Sequence, residues 1–195
     1  VIWQTGTCLR TTLTLGESLF RENDYAMITW LKWHLIRYAL QLPRVESVFF
    51  LDADTALLQP FDDVINWADF DLKYQPEIPP AQGFNSGQMW FNRTNASFRF
   101  VDKVTRHCLT SQHCKKDTLD QDYAWWELKN MVGLRAAPLP VDRFRSHCFR
   151  RVTGILVTSR TRTYHAACAK GIRKVKVMAK AINAFNQAVP GGAAI

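Results

Sequence analysis

The spacing of apolar residues along the chain predicts helices that alternate with short strands. Apolar side chains recur at helical spacing in residues 22–40 and 95–108. Residues 118–130 begin as a capped helix does, and the second half of residues 164–185 could form a further helix. Short β-branched and aromatic runs predict strands at residues 45–51, 70–75, 134–140 and 83–92, the last opening as a glycine-punctuated turn. This alternation is typical of an α/β domain with a largely parallel sheet, whose ligands bind at the carboxyl ends of the strands.

The length and composition are those of one packed domain. The chain has 195 residues, of which 47% are hydrophobic and 12% aromatic, so it can bury a substantial core and differs from disordered sequences. No window approaches the roughly 20 apolar residues that a membrane span requires. Because the first residue is Val1 and not a methionine, we expect a fragment whose N-terminus, with any targeting segment, is missing.

Charge is distributed unevenly. Residues 1–134 hold 13 lysines and arginines against 16 acids, whereas residues 135–195 hold 12 against the single acid Asp142. This asymmetry favours an anionic partner for the C-terminal third: a nucleic acid, an anionic lipid or a phosphorylated small molecule. A basic surface that only aids solubility is the alternative.

The five cysteines form no CxxC pair, which argues against a structural zinc site. Cys108 and Cys114 bracket a short segment and could form a disulfide in an oxidising compartment. Sequons at Asn92 and Asn95 would permit N-glycosylation of a luminal protein.

The candidate chemistry begins in VFFLDADTALL, residues 48–58, where an apolar strand ends in two acids. Alternate residues of an extended strand face the same way, so Asp52 and Asp54 can point into one site. Two carboxylates suit a hard cation such as Mn²⁺ or Mg²⁺. The alternatives are a capped strand end and a surface turn.

Four segments resemble, in the same order, motifs of the nucleotide-diphospho-sugar transferases, glycosyltransferases of the GT-A fold. They are FFLDADTALLQPFDDV for the D-x-D strand, FNSGQMWFN for the N-[ST]-G turn, LDQDYAWW for the DQ helix start and YHAACAKGIRKVK for the C-terminal histidine loop. The resemblance implies a single Rossmann-like domain over residues 1–180, with a mostly parallel mixed sheet flanked by helices, and a tail over 181–195. VIWQTG would be an inner strand at best, so the first βαβ elements are expected to be missing.

The resemblance also implies a metal site. Asp54 would ligate Mn²⁺ or Mg²⁺, Asp52 would assist it or lie against the nucleotide ribose, and His165 would be the third protein ligand. From its position alone, His165 could equally be a core or surface histidine. The cation would stabilise the departing nucleoside diphosphate as a Lewis acid.

Further residues are implied to bind the donor. Gly171 and Lys174 would approach the diphosphate, although their wider spacing from the histidine leaves Lys170 and Lys176 as alternatives. Three residues of the GFNSG segment would line the transferred sugar, unless the segment is a plain β-turn: Asn85, Ser86 and Gly87.

The DQ helix start supplies the candidates for the reacting centre. Asp120 and Gln121 would bind donor-sugar hydroxyls near the anomeric carbon, although an acid there is also simply a good helix cap. Lys32 would contact the nucleotide side or be a surface lysine. Trp125 and Trp126 are expected in the core rather than in an acceptor platform.

The implied reaction is metal-dependent transfer of a sugar from a nucleoside diphosphate sugar, a UDP-sugar by expectation, to a hydroxyl of a glycan or glycoprotein. Retention of configuration is expected, with no catalytic base assigned.

No nucleic acid partner is expected, and a membrane would be reached only through a missing N-terminal anchor. A eukaryotic protein would lie in the Golgi or secretory lumen, a bacterial or viral one in the cytoplasm. The alternatives are a nucleic-acid-binding or Mg²⁺-dependent nuclease module and a non-catalytic carbohydrate-binding relative.

Overall fold

The computed structural model describes residues 23–61, 67–77, 83–110, 119–149, 154 and 156–189. Its helices are α1 (Asn23–Gln41), α2 (Asn95–Thr110), α3 (Asp120–Asn130) and α4 (Arg173–Ala188), with a short 3₁₀ turn at Trp67–Asp69. Its strands are β1 (Ser47–Leu51), β2 (Thr55–Leu57), β3 (Leu72–Gln75), β4 (Asn85–Asn92), β5 (Ala136–Pro138), β6 (Phe144–Ser146) and β7 (Thr163–His165). The predicted helices and strands of this part are confirmed. The VIWQTG segment lies outside the described residues.

The strands form two sheets that build a mixed α/β fold, as predicted. The larger has the order β1-β4-β3-β5 and the smaller the order β2-β7-β6. Fewer of the described strand pairs are parallel than expected, since only β3–β5 and β6–β7 run parallel. Nine residues separate β3 from β4, fewer than the dozen or so that a parallel crossover needs, so this pair is antiparallel.

The main core lies between the larger sheet and helices α1, α2 and α3. Trp33 of α1 is fully buried, with its ring centroid 6.2 Å from that of Phe91 of β4 and 5.9 Å from that of Phe100 of α2. These large rings remove much apolar surface from water, which is the dominant stabilising term in folding. The core thereby fixes α1 beside the carboxyl end of β1, where the two acids lie.

A second core holds α4 on the smaller sheet. Ala181 and Phe185 are buried against Leu58 and Tyr164. The predicted tail from residue 181 therefore begins inside a packed helix, and the folded domain extends to Ala188. The reason is the helical spacing of these two residues, which places both on the face that the sheet covers.

The N-S-G segment is strand rather than turn. Asn85, Ser86 and Gly87 already belong to β4 and are buried between β1 and β3. A β-bulge interrupts the register between Tyr74 and Gln75, where Gln75 pairs with Asn85. The plain β-turn alternative is therefore wrong.

A disulfide joins Cys148 to Cys168. The Cys108–Cys114 pairing falls outside the described residues, since Cys114 and the side chain of Cys108 are not described. No helix in the described part has the length and apolarity needed to cross a membrane.

An ion pair between the buried Asp71 and the exposed side chain of Arg135 ties the start of β3 to the start of β5. The Asp71 carboxylate accepts hydrogen bonds from the Arg135 backbone N–H at 2.9 Å, from Nε at 3.3 Å and from Nη2 at 3.2 Å. Burial by itself would raise the pKa of Asp71, but the hydrogen bonds and charge of Arg135 outweigh it and hold that pKa below its ordinary value. The folded state thus binds this proton less readily than the unfolded chain does.

We expect Asp71→Asn to lower the free energy of unfolding by about 1–3 kcal/mol at neutral pH, the usual range for hydrogen bonds to a charged group. Because the folded-state pKa is depressed, this contribution is present above the ordinary aspartate pKa and is lost as the pH falls through the folded-state value. Urea unfolding at several pH values should therefore show the wild-type advantage shrinking in acid. Asp142→Asn, which breaks half-exposed pairs to Arg143 and Arg160, should cost less than about 1 kcal/mol. A pH-independent deficit for Asp71→Asn would contradict this.

Candidate functional site

Three side chains that can bind a metal converge where the two sheets meet. Asp52 directly follows β1, Asp54 directly precedes β2, and His165 ends β7. His165 Nε2 lies 3.2 Å from Asp54 Oδ1 and 3.8 Å from Asp52 Oδ2. One ligand atom from each residue lies within 4.8 Å of the other two. The acids lie in the turn between β1 and β2, which the Thr55 N–H closes by donating to the Asp52 carbonyl at 3.0 Å. The turn brings them into one site with a histidine that is distant in sequence.

Backbone hydrogen bonds fix the loop that carries the two acids. The Asp52 N–H donates to the Gly87 carbonyl of β4 at 2.8 Å. The Ala166 N–H donates to the Asp54 carbonyl at 2.9 Å, and Thr55 pairs with His165 across β2 and β7. The loop is thus held from both sides, so the positions of the carboxylates follow from the sheet pairing.

The donor set fits a divalent cation. Two carboxylates and one imidazole nitrogen offer oxygen and nitrogen ligands of the kind that Mn²⁺ accepts, and the carboxylates also suit Mg²⁺. Burial by itself would raise the pKa of Asp54, but hydrogen bonds and positive charge from His165 and Lys174 outweigh it and hold that pKa well below its ordinary value. Asp54 is therefore an ionised carboxylate, as a metal ligand must be.

The lysine that reaches this site is Lys174. Its Nζ lies 2.7 Å from Asp54 Oδ2. Gly171 has a φ of 51° and begins the turn into α4, in which the Lys174 N–H donates to the Gly171 carbonyl at 2.9 Å. A left-handed backbone favours glycine, which explains the residue at this position. Lys170 and Lys176 are exposed, so the geometry favours Lys174 among the three.

Lys32 connects the metal-binding acids to the start of α3. It is only 8% exposed and donates to Ser86 Oγ at 2.9 Å. Its Nζ also lies 3.4 Å from Asp52 Oδ1 and 3.5 Å from Asp120 Oδ2. A buried ammonium requires such partners. Lys32 is therefore not a surface lysine, because α1 packs its charged end against the site.

Asp120 begins α3 but does not cap it. Leu119 is the N-cap residue and makes no side-chain capping bond. The Asp120 carboxylate is buried and instead accepts a hydrogen bond from Trp33 Nε1 at 2.9 Å. The alternative of a simple cap is wrong, because the carboxylate is directed toward α1. Gln121 follows it and is partly buried.

The Asn85 amide is engaged at both ends within the protein. Its Oδ1 accepts the Gly87 N–H at 2.9 Å, and its Nδ2 donates to Glu77 Oε2 at 3.0 Å. Gly87 makes room for His165, since a Cβ at residue 87 would lie 2.0 Å from His165 Cε1. The sugar contacts expected of Asn85, Ser86 and Gly87 remain predictions. A glycine at position 87 is explained without them, because a larger residue would collide with the His165 ring.

Only one of the two tryptophans is in the core. Trp125 packs against the main core, with its ring centroid 6.2 Å from that of Tyr74. Trp126 is 54% exposed, so the expectation of a core position is wrong for it. Neighbouring residues on a helix point about 100° apart, which separates the environments of the two rings.

Residues 4–178 match the model of the nucleotide-diphospho-sugar transferase family. The chain belongs to this family. The transferase is therefore a nucleotide-sugar-dependent glycosyltransferase, as the order of its four motifs had indicated. A search of curated proteins finds no significant match.

A search of solved structures finds other glycosyltransferases. A glycosyltransferase involved in glycosylation of the major capsid of PBCV-1 aligns with a TM-score of 0.59 at 12% identity, over 85% of this chain and 80% of that one. The galactosyltransferase LgtC, in complex with donor and acceptor sugar analogs, gives 0.49 at 10% identity over 76% and 66%. Mouse xyloside xylosyltransferase 1 gives 0.47 at 16% identity over 70% and 64%. The first of these likenesses supports the GT-A fold.

Sequence reasoning missed three side chains that contact the site residues. Gln75 bonds to His165, Glu77 bonds to Asn85, and Trp33 bonds to Asp120. Gln75 and Glu77 could have been found from the sequence, because Gln75 ends β3 and Glu77 lies two residues beyond it, at the same edge of the sheet as the two acids. Trp33 had none, since its apolar spacing predicts only a core residue.

The disulfide secures the loop between His165 and Lys174. Cys168 lies in this loop, and its partner Cys148 lies just after β6, 20 residues earlier. A cross-link of this span stabilises chiefly by restricting the unfolded chain, by about 3 kcal/mol in the chain-entropy account.

We expect Cys168→Ser to lower the free energy of unfolding by about that amount. Unfolding followed by circular dichroism, with and without dithiothreitol, provides the test. Reductant should bring the wild type down to the level of the variant and leave the variant unchanged. Equal stability of wild type and variant under oxidising conditions would show that the bridge does not secure the loop.

Proposed function

We propose that the transferase moves a glycosyl group from a nucleoside diphosphate sugar to a hydroxyl of a glycan or glycoprotein acceptor, with the help of Mn²⁺ or Mg²⁺. The observation that carries this proposal is the convergence of Asp52, Asp54 and His165 in a chain of this family.

The diphosphate end of the donor would be held by the histidine side of the site. Asp52, Asp54 and His165 would hold the cation, which as a Lewis acid stabilises the negative charge of the leaving nucleoside diphosphate. Lys174 lies beside Asp54 and would bind a phosphate oxygen through its ammonium group. The Gly171 turn lets the backbone approach the same phosphates.

The sugar end would be held by the group around Asp120. Trp33 and Lys32 orient the Asp120 carboxylate, which would accept hydrogen bonds from donor-sugar hydroxyls near the anomeric carbon. Gln121 would add an amide at the same end of α3. Ser86 shares Lys32 with Asp120 and would line the sugar from β4. Such preorganised polar groups supply orientation without reorganisation during the reaction.

We propose retention of configuration. In a front-face reaction the bond from the anomeric carbon to the phosphate oxygen breaks while the bond to the acceptor oxygen forms on the same face. The acceptor proton passes to the departing phosphate oxygen, so no protein base is needed. The support from this chain is that Asp52, Asp54 and Asp120 each have a basic group within 3.5 Å, as suits binding rather than proton abstraction.

We also infer that the protein works in an oxidising compartment such as the secretory lumen. The Cys148–Cys168 disulfide supports this, because such bonds are rare in reducing compartments. Labelling free thiols in protein extracted under acid quench tests it. Protection of both cysteines is expected, and two labelled thiols would contradict the inference.

Titration calorimetry with a panel of UDP- and GDP-sugars, with and without Mn²⁺, tests the proposed activity together with a transfer assay. We expect metal-dependent binding of one donor and its turnover when a glycan acceptor is added. Sugar binding without turnover would favour a non-catalytic relative instead. Salt-sensitive binding to DNA or RNA, without nucleotide-sugar binding, would favour the nucleic-acid alternative.

A further inference from the structure

We propose that Gln75 is a positioning residue that keeps a proton on Nδ1 of His165, so that Nε2 is the nitrogen offered to a cation beside Asp52 and Asp54. This inference rests on the proposed metal site, to which it adds a residue that none of the sequence motifs contains. Gln75 Oε1 lies 2.8 Å from His165 Nδ1. Gln75 contacts Nδ1, whereas the two acids lie near Nε2. Gln75 therefore acts through the histidine and is not itself a metal ligand.

Both partners are shielded from water. Gln75 is 0% exposed and His165 is 4% exposed. A hydrogen bond in such surroundings is stronger than one in water, and water cannot replace it at low cost. Gln75 is therefore the hydrogen-bond partner of His165 Nδ1 in the folded protein.

A β-bulge in β3 positions the Gln75 side chain. Gln75 ends β3 just after the bulge that shifts the register between Tyr74 and Gln75. Bulges next to sites commonly re-aim a side chain. Gly87 of the neighbouring strand β4 leaves the space in which the His165 ring lies. One strand thus supplies the hydrogen bond and the next supplies the room for the ring.

The hydrogen bond decides which nitrogen is available to a cation. A neutral imidazole carries one N–H, and an acceptor at Nδ1 places the proton there. Nε2 is then the nitrogen left for a cation, which would displace the proton that Nε2 shares with Asp54. It is Nε2 that lies near Asp54 and Asp52. Loss of the acceptor would leave Nδ1 without its proton, and the Asp54 carboxylate would hold the remaining one on Nε2. Partners of this kind are typically worth 10–100-fold in metal affinity, by the general experience with ligating histidines.

The test compares Gln75→Leu, Gln75→Glu and Gln88→Leu with the wild type. Leucine removes the acceptor and glutamate keeps it. Gln88 is the matched control, since it is equally buried and bonds to Thr163 and Arg145 rather than to His165. The free Mn²⁺ signal in electron paramagnetic resonance measures metal affinity without nucleotide. Long-range ¹⁵N–¹H spectra of metal-free protein report whether Nδ1 of His165 carries a proton.

We expect a proton on Nδ1 of His165 in the wild type and in Gln88→Leu, and none on Nδ1 in Gln75→Leu. Gln75→Leu should weaken Mn²⁺ binding by about 10–100-fold, whereas Gln75→Glu and Gln88→Leu should stay within a few-fold of the wild type. A wild type without a proton on Nδ1, unchanged affinity in Gln75→Leu, or an equal loss in Gln88→Leu would overturn the assignment. A wild type that binds no Mn²⁺ contradicts the proposed metal dependence, while the spectra still decide the role of Gln75 in keeping a proton on Nδ1.

Discussion

Asp54→Asn should reduce glycosyl transfer by about a thousandfold or more, because a Lewis acid at the leaving group supplies several kcal/mol of transition-state stabilisation. Asp54 is the acid nearest to both His165 and Lys174. An amide in its place keeps the shape of the side chain but removes the charge that a cation needs. Initial rates of transfer and Mn²⁺ affinity, measured on the same preparation, check this expectation.

The matched control is Asp102→Asn. Asp102 of α2 forms ion pairs with Arg37 of α1 and Arg106 of α2, and none of these three residues is among the candidate site residues. This variant should retain both transfer and Mn²⁺ binding. Wild-type transfer rates for Asp54→Asn, or rates that do not respond to removal of Mn²⁺ by a chelator, would show that the paired acids do not bind an essential cation.

Gly87→Ala should displace the His165 ring and weaken Mn²⁺ binding by about 10–100-fold, as expected when a ligating histidine loses its position. The added Cβ would lie 2.0 Å from Cε1 and 2.7 Å from both ring nitrogens. Contacts this short cannot persist, and the ring is held between the strand and its partner Gln75. Manganese titration together with thermal unfolding separates loss of the site from loss of the fold.

Gly133→Ala is the control for the general cost of a substituted glycine. Gly133 lies in the turn after α3 with a φ of 81°, and an added Cβ would meet only the end of the Arg99 side chain, at 3.8 Å. This variant should be less stable, because alanine is strained in that conformation, yet it should bind Mn²⁺ as the wild type does. If Gly87→Ala binds Mn²⁺ equally well, the histidine is not held as described.

The parts of the fold that were predictable are those that depend on local pattern. The apolar spacing of α1 and α2 and the short apolar, aromatic run of β1 predict these elements from local sequence alone. The D-x-D acids were predicted to share one site, but the reason differs: they lie in the turn between β1 and β2 and not on one extended strand. The direction of β4 was harder to predict from the sequence, since it depends on the length of the β3–β4 connection and on which strands become neighbours in the sheet.

The parts of the site that were not predictable depend on long-range packing. Lys32 is one lysine on an amphipathic helix, and only the docking of α1 beside β1 and α3 brings it to Asp52 and Asp120. The pairing of Cys148 with Cys168 could not be chosen from five cysteines by spacing alone. The need for glycine at position 87 was not predictable either, because it depends on the His165 ring, which β7 contributes from far along the chain.

Diffraction from crystals soaked with Mn²⁺ and UDP, measured near the manganese absorption edge, tests the central claim most directly. The account predicts an anomalous peak enclosed by the side chains of Asp52, Asp54 and His165, with the diphosphate density on the side of Lys174. UDP bound without an anomalous peak, or a peak remote from His165, would contradict it.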